Sequence, residues 1–142
     1  MKKLFVIAGI LVILDQLTKY FFENKTIEIF SFFSFRYAEN SGAAFGILKG
    51  WNILFIVFSF VVMIACLYYY NYYKLPLTFL LAGTIGNLID RILFGFVRDF
   101  ISVSVWPIFN FADAYNTIGV ILLIYYFYLE DKAYKRQRSK KK

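Results

Sequence analysis

From Gly50 to Tyr73 the chain runs for 24 residues without a charged side chain, and from Leu75 to Ile89 and Ala114 to Leu129 for 15 and 16 more. Each run approaches the roughly 20 residues that carry a helix across a hydrocarbon core about 30 Å thick. A soluble domain of 142 residues would not place 61% hydrophobic residues in stretches of this kind. The runs therefore predict an integral membrane protein. No repeat and no domain boundary is visible, so residues 1–142 are expected to form one membrane domain.

Lys2-Lys3 followed by Leu4 to Leu14 imitates a secretory signal peptide. No small-x-small cleavage site follows, and the run ends in Asp15-Gln16-Leu17-Thr18-Lys19, which predicts a retained first helix over 4–22. Further helices are expected over 51–70, 75–97 and 113–129, the third opened by Pro76, which is tolerated in a first turn. Residues 24–50 leave the membrane. Their run of Ile27, Ile29, Phe30, Phe32, Phe33, Phe35 and Tyr37 suggests one or two strands. Residues 98–112 are read as a second outer loop. Lys2, Lys3, Lys74 and the basic tail 130–142, with seven Lys/Arg against two acids, fall on one side of four crossings. By the positive-inside rule both termini are expected in the cytoplasm. Beside a membrane helix, that tail is expected to meet anionic lipid, and no nucleic-acid partner is expected.

The chain has no histidine and a single cysteine, Cys66, inside an apolar run. A Ser-His-Asp triad, a Cys-His dyad and a histidine-ligated zinc site are excluded. No metal and no cofactor is expected, and proton transfer must fall to carboxylates, Lys or Tyr.

Ionisable groups in or beside a membrane segment are costly and mark function. Asp15 and Lys19 share a helix face and can neutralise each other; an ion pair without further role is an equal reading. Asn87 and Arg91 also stand at i,i+4, suited to fixing a carboxylate, a peptide carbonyl or a lipid ester. For Asp90 the expected role is structural, an intramembrane pair with Arg91. Gly83 and Gly86 would admit a neighbouring helix. On a third helix reaching residue 97, Asp99 would stand about 36 Å from the inner face, at the outer edge of the membrane. Asp113 would enter the fourth helix at the same depth. Two carboxylates held close cannot both ionise easily, so one keeps a proton while the other serves as base. That pair suits activation of water for peptide hydrolysis. Asn110, three residues before Asp113, is placed to cap the fourth helix and orient a carboxylate at once.

Five segments taken in order, Asp15-Gln16-x-Thr-Lys19, Asn40-x-Gly42-Ala43-Ala44-Phe45, Gly86-Asn87-x-x-Asp90-Arg91, Val97-Arg98-Asp99-Phe100 and Phe109-Asn110-x-Ala112-Asp113, resemble the motifs of the lipoprotein signal peptidase (type II signal peptidase) family. The resemblance spans about residues 4–129. It implies a bacterial inner-membrane aspartic endopeptidase, its active site toward the extracytoplasmic side. Such an enzyme would remove the signal peptide of prolipoproteins by cutting just before a diacylglyceryl-modified cysteine. It implies Asp99 and Asp113 as the catalytic pair. Asp15, Lys19, Asn40, Gly42, Asn87, Arg91 and Asn110 would bind substrate or support the site, and Gly86 and Asp90 would be structural. The implied fold is an all-α membrane protein: four transmembrane helices, a small extracytoplasmic β-cradle and a short outer helix. The implied partners are the lipidated precursor, membrane lipid and cyclic-peptide antibiotic inhibitors such as globomycin. Ala82 replaces the first glycine of a Gly-Gly-x-x-Gly-Asn run common in the family, and Ala114 replaces a common hydroxyl residue. Both are small changes.

A transporter or proton relay is the first rival, but the second helix carries no carboxylate and those of helices three and four gather toward one side. A lipid phosphatase would want a histidine or a clustered basic pocket. A purely structural subunit would not need the two aspartates.

Overall fold

A computed structural model describes residues 2–42 and 50–139. The Ala43-Ala44-Phe45 part of the second motif lies outside the described residues. Among the described residues four helices are long and apolar enough to cross a membrane: α1 (Lys2–Phe22), α2 (Asn52–Tyr69), α3 (Lys74–Leu93) and α4 (Phe111–Ser139). Between them lie β1 (Thr26–Phe30), β2 (Phe33–Asn40) and β3 (Val97–Val103), one antiparallel sheet in the order β1-β2-β3. The short outer helix is not seen among the described residues.

The bundle is organised around α3, which packs against each of the other three helices. Beside Leu77, Leu81 and Leu88, its buried residues are mostly small or polar, including Thr78, Ala82, Gly83, Thr84, Gly86, Asn87 and Asp90. The outer helices turn Ile, Leu, Val and Phe outward; Ile53 is 78% exposed and Ile64 67%. A surface this apolar is untenable in water but is what lipid requires. Association then depends on close backbone approach. A Cβ at Gly119 on α4 would lie 2.7 Å from Leu80 Cγ and 2.9 Å from the Pro76 carbonyl oxygen. A Cβ at Gly83 would collide with the Ala112 carbonyl and the Asn116 side chain.

Two helix boundaries differ from the sequence reading by more than two residues. The third helix ends at Leu93, not 97. Phe94 and Gly95 close its last turn on Asp90 and Arg91, and Gly95 takes φ +81°, which reverses the chain into β3. The outer segment is thus a strand at its start, not a loop, and Phe109 bridges back to Ile101. The fourth helix runs past Leu129 to Ser139. The tail is charged, but its Lys, Arg and Glu are good helix formers, and Asp131 pairs with Lys135 at i,i+4 (2.7 Å).

A ring stack ties the sheet to the helices. Phe22 at the end of α1 stacks on Phe35 (4.3 Å) and Phe100 (4.9 Å), and Phe100 meets Phe111 at the start of α4 (5.7 Å). Phe100 is buried next to Asp99 on β3, and successive strand residues point to opposite faces, so the stack sets the face that Asp99 takes.

Candidate active site

Asn110 sits immediately before α4 and closes a reciprocal cap with Asp113. Its Oδ1 accepts from the Asp113 backbone N–H (2.9 Å), and its own N–H donates to Asp113 Oδ2 (3.2 Å). Its Nδ2 donates to Asp99 Oδ1 (2.6 Å) and to Asn87 Oδ1 (3.1 Å). One buried side chain therefore holds Asp99 on β3 and Asp113 on α4. The second oxygen of each carboxylate is held by another asparagine. Asn40 Nδ2 donates to Asp99 Oδ2 (3.0 Å), and Asn87 Nδ2 donates to Asp113 Oδ1 (2.8 Å). Gly42 donates its N–H to Asn40 Oδ1 (3.1 Å), which fixes that amide.

Asp99, on a strand outside the four spanning helices, is 2% exposed. Burial, with the Asp113 charge second, pushes its carboxyl up to about 7, against opposing hydrogen bonds from Asn40 and Asn110 and the Lys19 charge. Asp113 stands in the first turn of α4, where the helix N-terminus favours negative charge.

Beneath this pair lies a buried ionic network. Lys19 Nζ meets Asp15 Oδ2 (2.8 Å), Asp90 Oδ2 (3.5 Å) and Asn87 Oδ1 (3.0 Å), and it is fully buried. Asp15 also accepts the Ala112 N–H (2.9 Å), satisfying a free amide of the α4 first turn. Gly86 makes room for it; a Cβ there would lie 2.6 Å from Asp15 Oδ2. Asp90 does not pair with Arg91 as expected. Its partners are Lys19 and Arg98, whose Nη2 (2.9 Å), Nε (3.3 Å) and backbone N–H (2.9 Å) all donate to it. The cause is the early end of α3, which brings β3 back beside Asp90. Asp99 is thereby drawn down as well. At about 1.5 Å per residue from Lys74, its level is that of Asp90, about 24 Å along α3, not 36 Å. Arg91 lies over the Phe55 ring at 4.9 Å and makes no salt bridge among the described residues.

Two residues were missed by the sequence reading. Gln16 bonds Gly86 O (2.9 Å), Asp15 (3.2 Å) and Arg98 (3.1 Å), and no local spacing signals an α1–β3 link. Asn116 lies one turn beyond Asp113 on the same helix face, a signal that i,i+3 spacing does carry.

Two cavities meet at the site. The first, about 330 Å³, lies under Asn40, Gly42, Trp106 and Pro107; the second, about 210 Å³, is bounded by Phe55, Phe58, Ser59, Val62 and Thr84. Asn87, Arg91, Asp113 and Asn116 line both. The joined cleft thus runs from the sheet, past the Asp113 carboxylate, into the space between α2 and α4 over α3.

The chain is similar to known proteins in sequence and in fold. A family model described as signal peptidase (SPase) II matches residues 7–129. The lipoprotein signal peptidase of Halothermothrix orenii is 39% identical over 142 residues, covering 90% of this chain and 97% of that one. That of Caldanaerobacter subterraneus subsp. tengcongensis is 42% identical over 135 residues, covering 84% and 92%. A solved bacterial membrane enzyme, determined by the in meso method at 2.3 Å, superposes with a TM-score of 0.85 at 36% identity, covering 95% of this chain and 92% of that one.

Proposed function

Because the chain belongs to the signal peptidase II family of membrane peptidases, we propose that Asp99 and Asp113 cleave diacylglyceryl-modified prolipoproteins on the N-terminal side of the lipidated cysteine. The single observation behind this reading is the bracing of both carboxylates by Asn110, with Asp113 in the wall of the cleft. Asp113 takes a proton from water, and the water oxygen bonds to the scissile carbonyl carbon. Protonated Asp99 gives its proton to the carbonyl oxygen. The tetrahedral adduct collapses, the C–N bond breaks, and the proton held by Asp113 passes to the leaving amine. The carbonyl oxygen returns its proton to Asp99, and the pair is restored. The asparagines hold both oxygens of each acid in place, so little reorganisation is needed at the moment of reaction.

Asn87 and Asn40 position the acids, and Arg91 is free to meet a substrate carbonyl in the cleft. Asp15, Lys19, Asp90 and Gly86 hold α1, α3 and α4 in register beneath them. The charge bias of Lys2, Lys3, Lys74 and the tail supports cytoplasmic termini, with the site facing the outer side of a bacterial inner membrane. A lipidated cysteine anchored in the outer leaflet presents its scissile bond at a depth matching Asp99. Cyclic peptides such as globomycin would inhibit by filling the same cleft. The test is incubation of purified enzyme with lipidated and unlipidated precursor. Shortened product is expected from the lipidated one alone, and Asp99→Asn and Asp113→Asn should each abolish it with membrane insertion intact. Normal processing by either variant refutes the pair.

A further inference from the structure

Asn116 is an amide in the cleft that the proposed chemistry leaves unused. It stands one helical turn past Asp113 on α4 and lines both cavities. Its Oδ1 is buried without a hydrogen-bond partner among the described residues, packed where only a glycine, Gly83, leaves room for it. Its Nδ2 makes no hydrogen bond there either and forms the end of the amide open to the cleft. A polar side chain left unbonded at membrane depth is costly and calls for an explanation. Thr84 of α3 lines the same cavity, and Ser59 lines it from α2 with its hydroxyl tied to the Phe55 carbonyl. This wall is polar, although it opens between two helices whose outward faces are aliphatic.

A substrate cut in the membrane supplies an acceptor for Nδ2, the donor of this amide; Oδ1, itself an acceptor, is not what a carbonyl meets. The residues around a scissile bond must be extended to reach the pair, and an extended backbone in lipid has carbonyls without helical partners. The ester groups of a diacylglyceryl cysteine enter the same zone with carbonyls of their own. Resting on the functional reading above, we propose that Asn116 is a positioning residue whose amide receives a substrate carbonyl one turn below the aspartates, seating the scissile bond against them. The bond forms in the ground state and is kept in the transition state, so its loss falls on KM.

The test uses the full-length enzyme in lipid micelles with Asn116→Leu and Asn116→Ala, each checked for unaltered thermal unfolding. Interhelical hydrogen bonds in membranes correspond to about three- to fifteen-fold in affinity. KM is expected to rise by that factor, with kcat and both limbs of the pH profile unmoved. A merely structural residue would instead lower the unfolding temperature and kcat. Two altered precursors identify the carbonyl: one with ether-linked alkyl chains, one with a backbone ester weakening a peptide carbonyl before the cut. In the wild type one of them should raise KM, and in the variants that same change should cost nothing more. If the ether precursor behaves so, the lipid ester is the partner; if the backbone ester does, the signal peptide is. Additive losses with both, or an unchanged KM in both variants, overturn the assignment. A wild-type enzyme inert toward every precursor overturns the functional reading and this inference together. Should Asn116→Leu unfold, Asn116→Ala decides.

Discussion

Burial of Asp99 makes the stability of the folded protein depend on pH with a defined sign. Its carboxyl sits at about 7, against 3.8 ordinarily, which corresponds to about 4 kcal/mol of differential interaction between the two protonation states. At 2% exposure, no discount for solvent screening is needed. The folded state holds the proton more tightly than the unfolded one. The contribution is therefore fully present below pH about 3.8 and is lost as pH rises through about 7. Asp99→Asn removes the titration. Asn40 can turn its amide to suit the new side chain at the cost of its bond from Gly42, about 1 kcal/mol, and that cost is independent of pH. Stability is read by denaturant titration in mixed micelles at pH 4 to 8, followed by the fluorescence of Trp51 and Trp106. The variant is expected to gain on the wild type by about 2–4 kcal/mol between pH 4 and pH 8. It should be the less stable protein at pH 4 and the more stable one at pH 8. Asp113→Asn, which removes the neighbouring charge, should give a shallower wild-type-like slope. Parallel curves for wild type and Asp99→Asn would show that Asp99 ionises freely in the folded protein and would remove the basis for the proposal that it is the acid.

Two further outcomes follow from the network below the pair. Lys19→Met leaves Asp15 and Asp90 facing each other without their shared cation, a break of the kind that costs about 3–5 kcal/mol. Adding Asp15→Asn should recover part of that loss, and strictly additive unfolding energies would show that the two groups do not interact. Gly86→Ala drives a methyl to 2.6 Å from Asp15 Oδ2 and should lower both unfolding temperature and turnover. Gly9→Ala meets nothing within 4 Å and should gain up to about 1 kcal/mol of helix propensity; equal behaviour of the two would mean α3 and α4 are packed more loosely than described.

Much of the site was readable because its groups are spaced locally. Asp15 with Lys19, Asn87 with Arg91, and Asn110 with Asp113 are each one helical turn apart, and helix geometry alone places them. The aromatic run 27–37 likewise declared strands. What could not be read was where α3 stops. A helix drawn to 97 sends Asp99 outward and leaves Asp90 to the nearest cation in sequence, Arg91. One left-handed glycine after Leu93 reverses the chain, hands Asp90 to Arg98 and lowers Asp99 by about 12 Å. Gly95 alone does not announce this, since glycines also sit inside α3. Gln16 was unreadable for a related reason: its partner Arg98 is 82 residues away, and tertiary contacts such as the ring stack of Phe22, Phe35 and Phe100 and the ion pair of Arg98 with Glu23 bring the two segments together.

The charges at the site also fall into two groups when counted. Lys19, Arg98, Asp15 and Asp90 form a closed quartet in contact, and with all four ionised it is neutral. Glu23, at the exposed edge, merely extends it through Arg98 (3.5 Å). What remains is two acids and one cation: Asp113 and Arg91, which line the cleft, and Asp99, tied to Asp113 through Asn110. Fully ionised they carry one excess negative charge in a region of low dielectric. A single proton on the pair brings them to zero, and a second would leave a net positive site. The state of lowest electrostatic cost is therefore the singly protonated one, which is the state that acid–base hydrolysis by two aspartates requires. On this account the neutral quartet rigidifies the floor without biasing the proton count, and Arg91, through its charge, helps set that count. Arg91→Gln would remove the cation, so two protons would be needed for neutrality. The acid limb of the pH profile should then move to higher pH, because the pair takes up its second proton more readily. An unmoved limb would mean the guanidinium is screened from the aspartates and that substrate contact is its whole function.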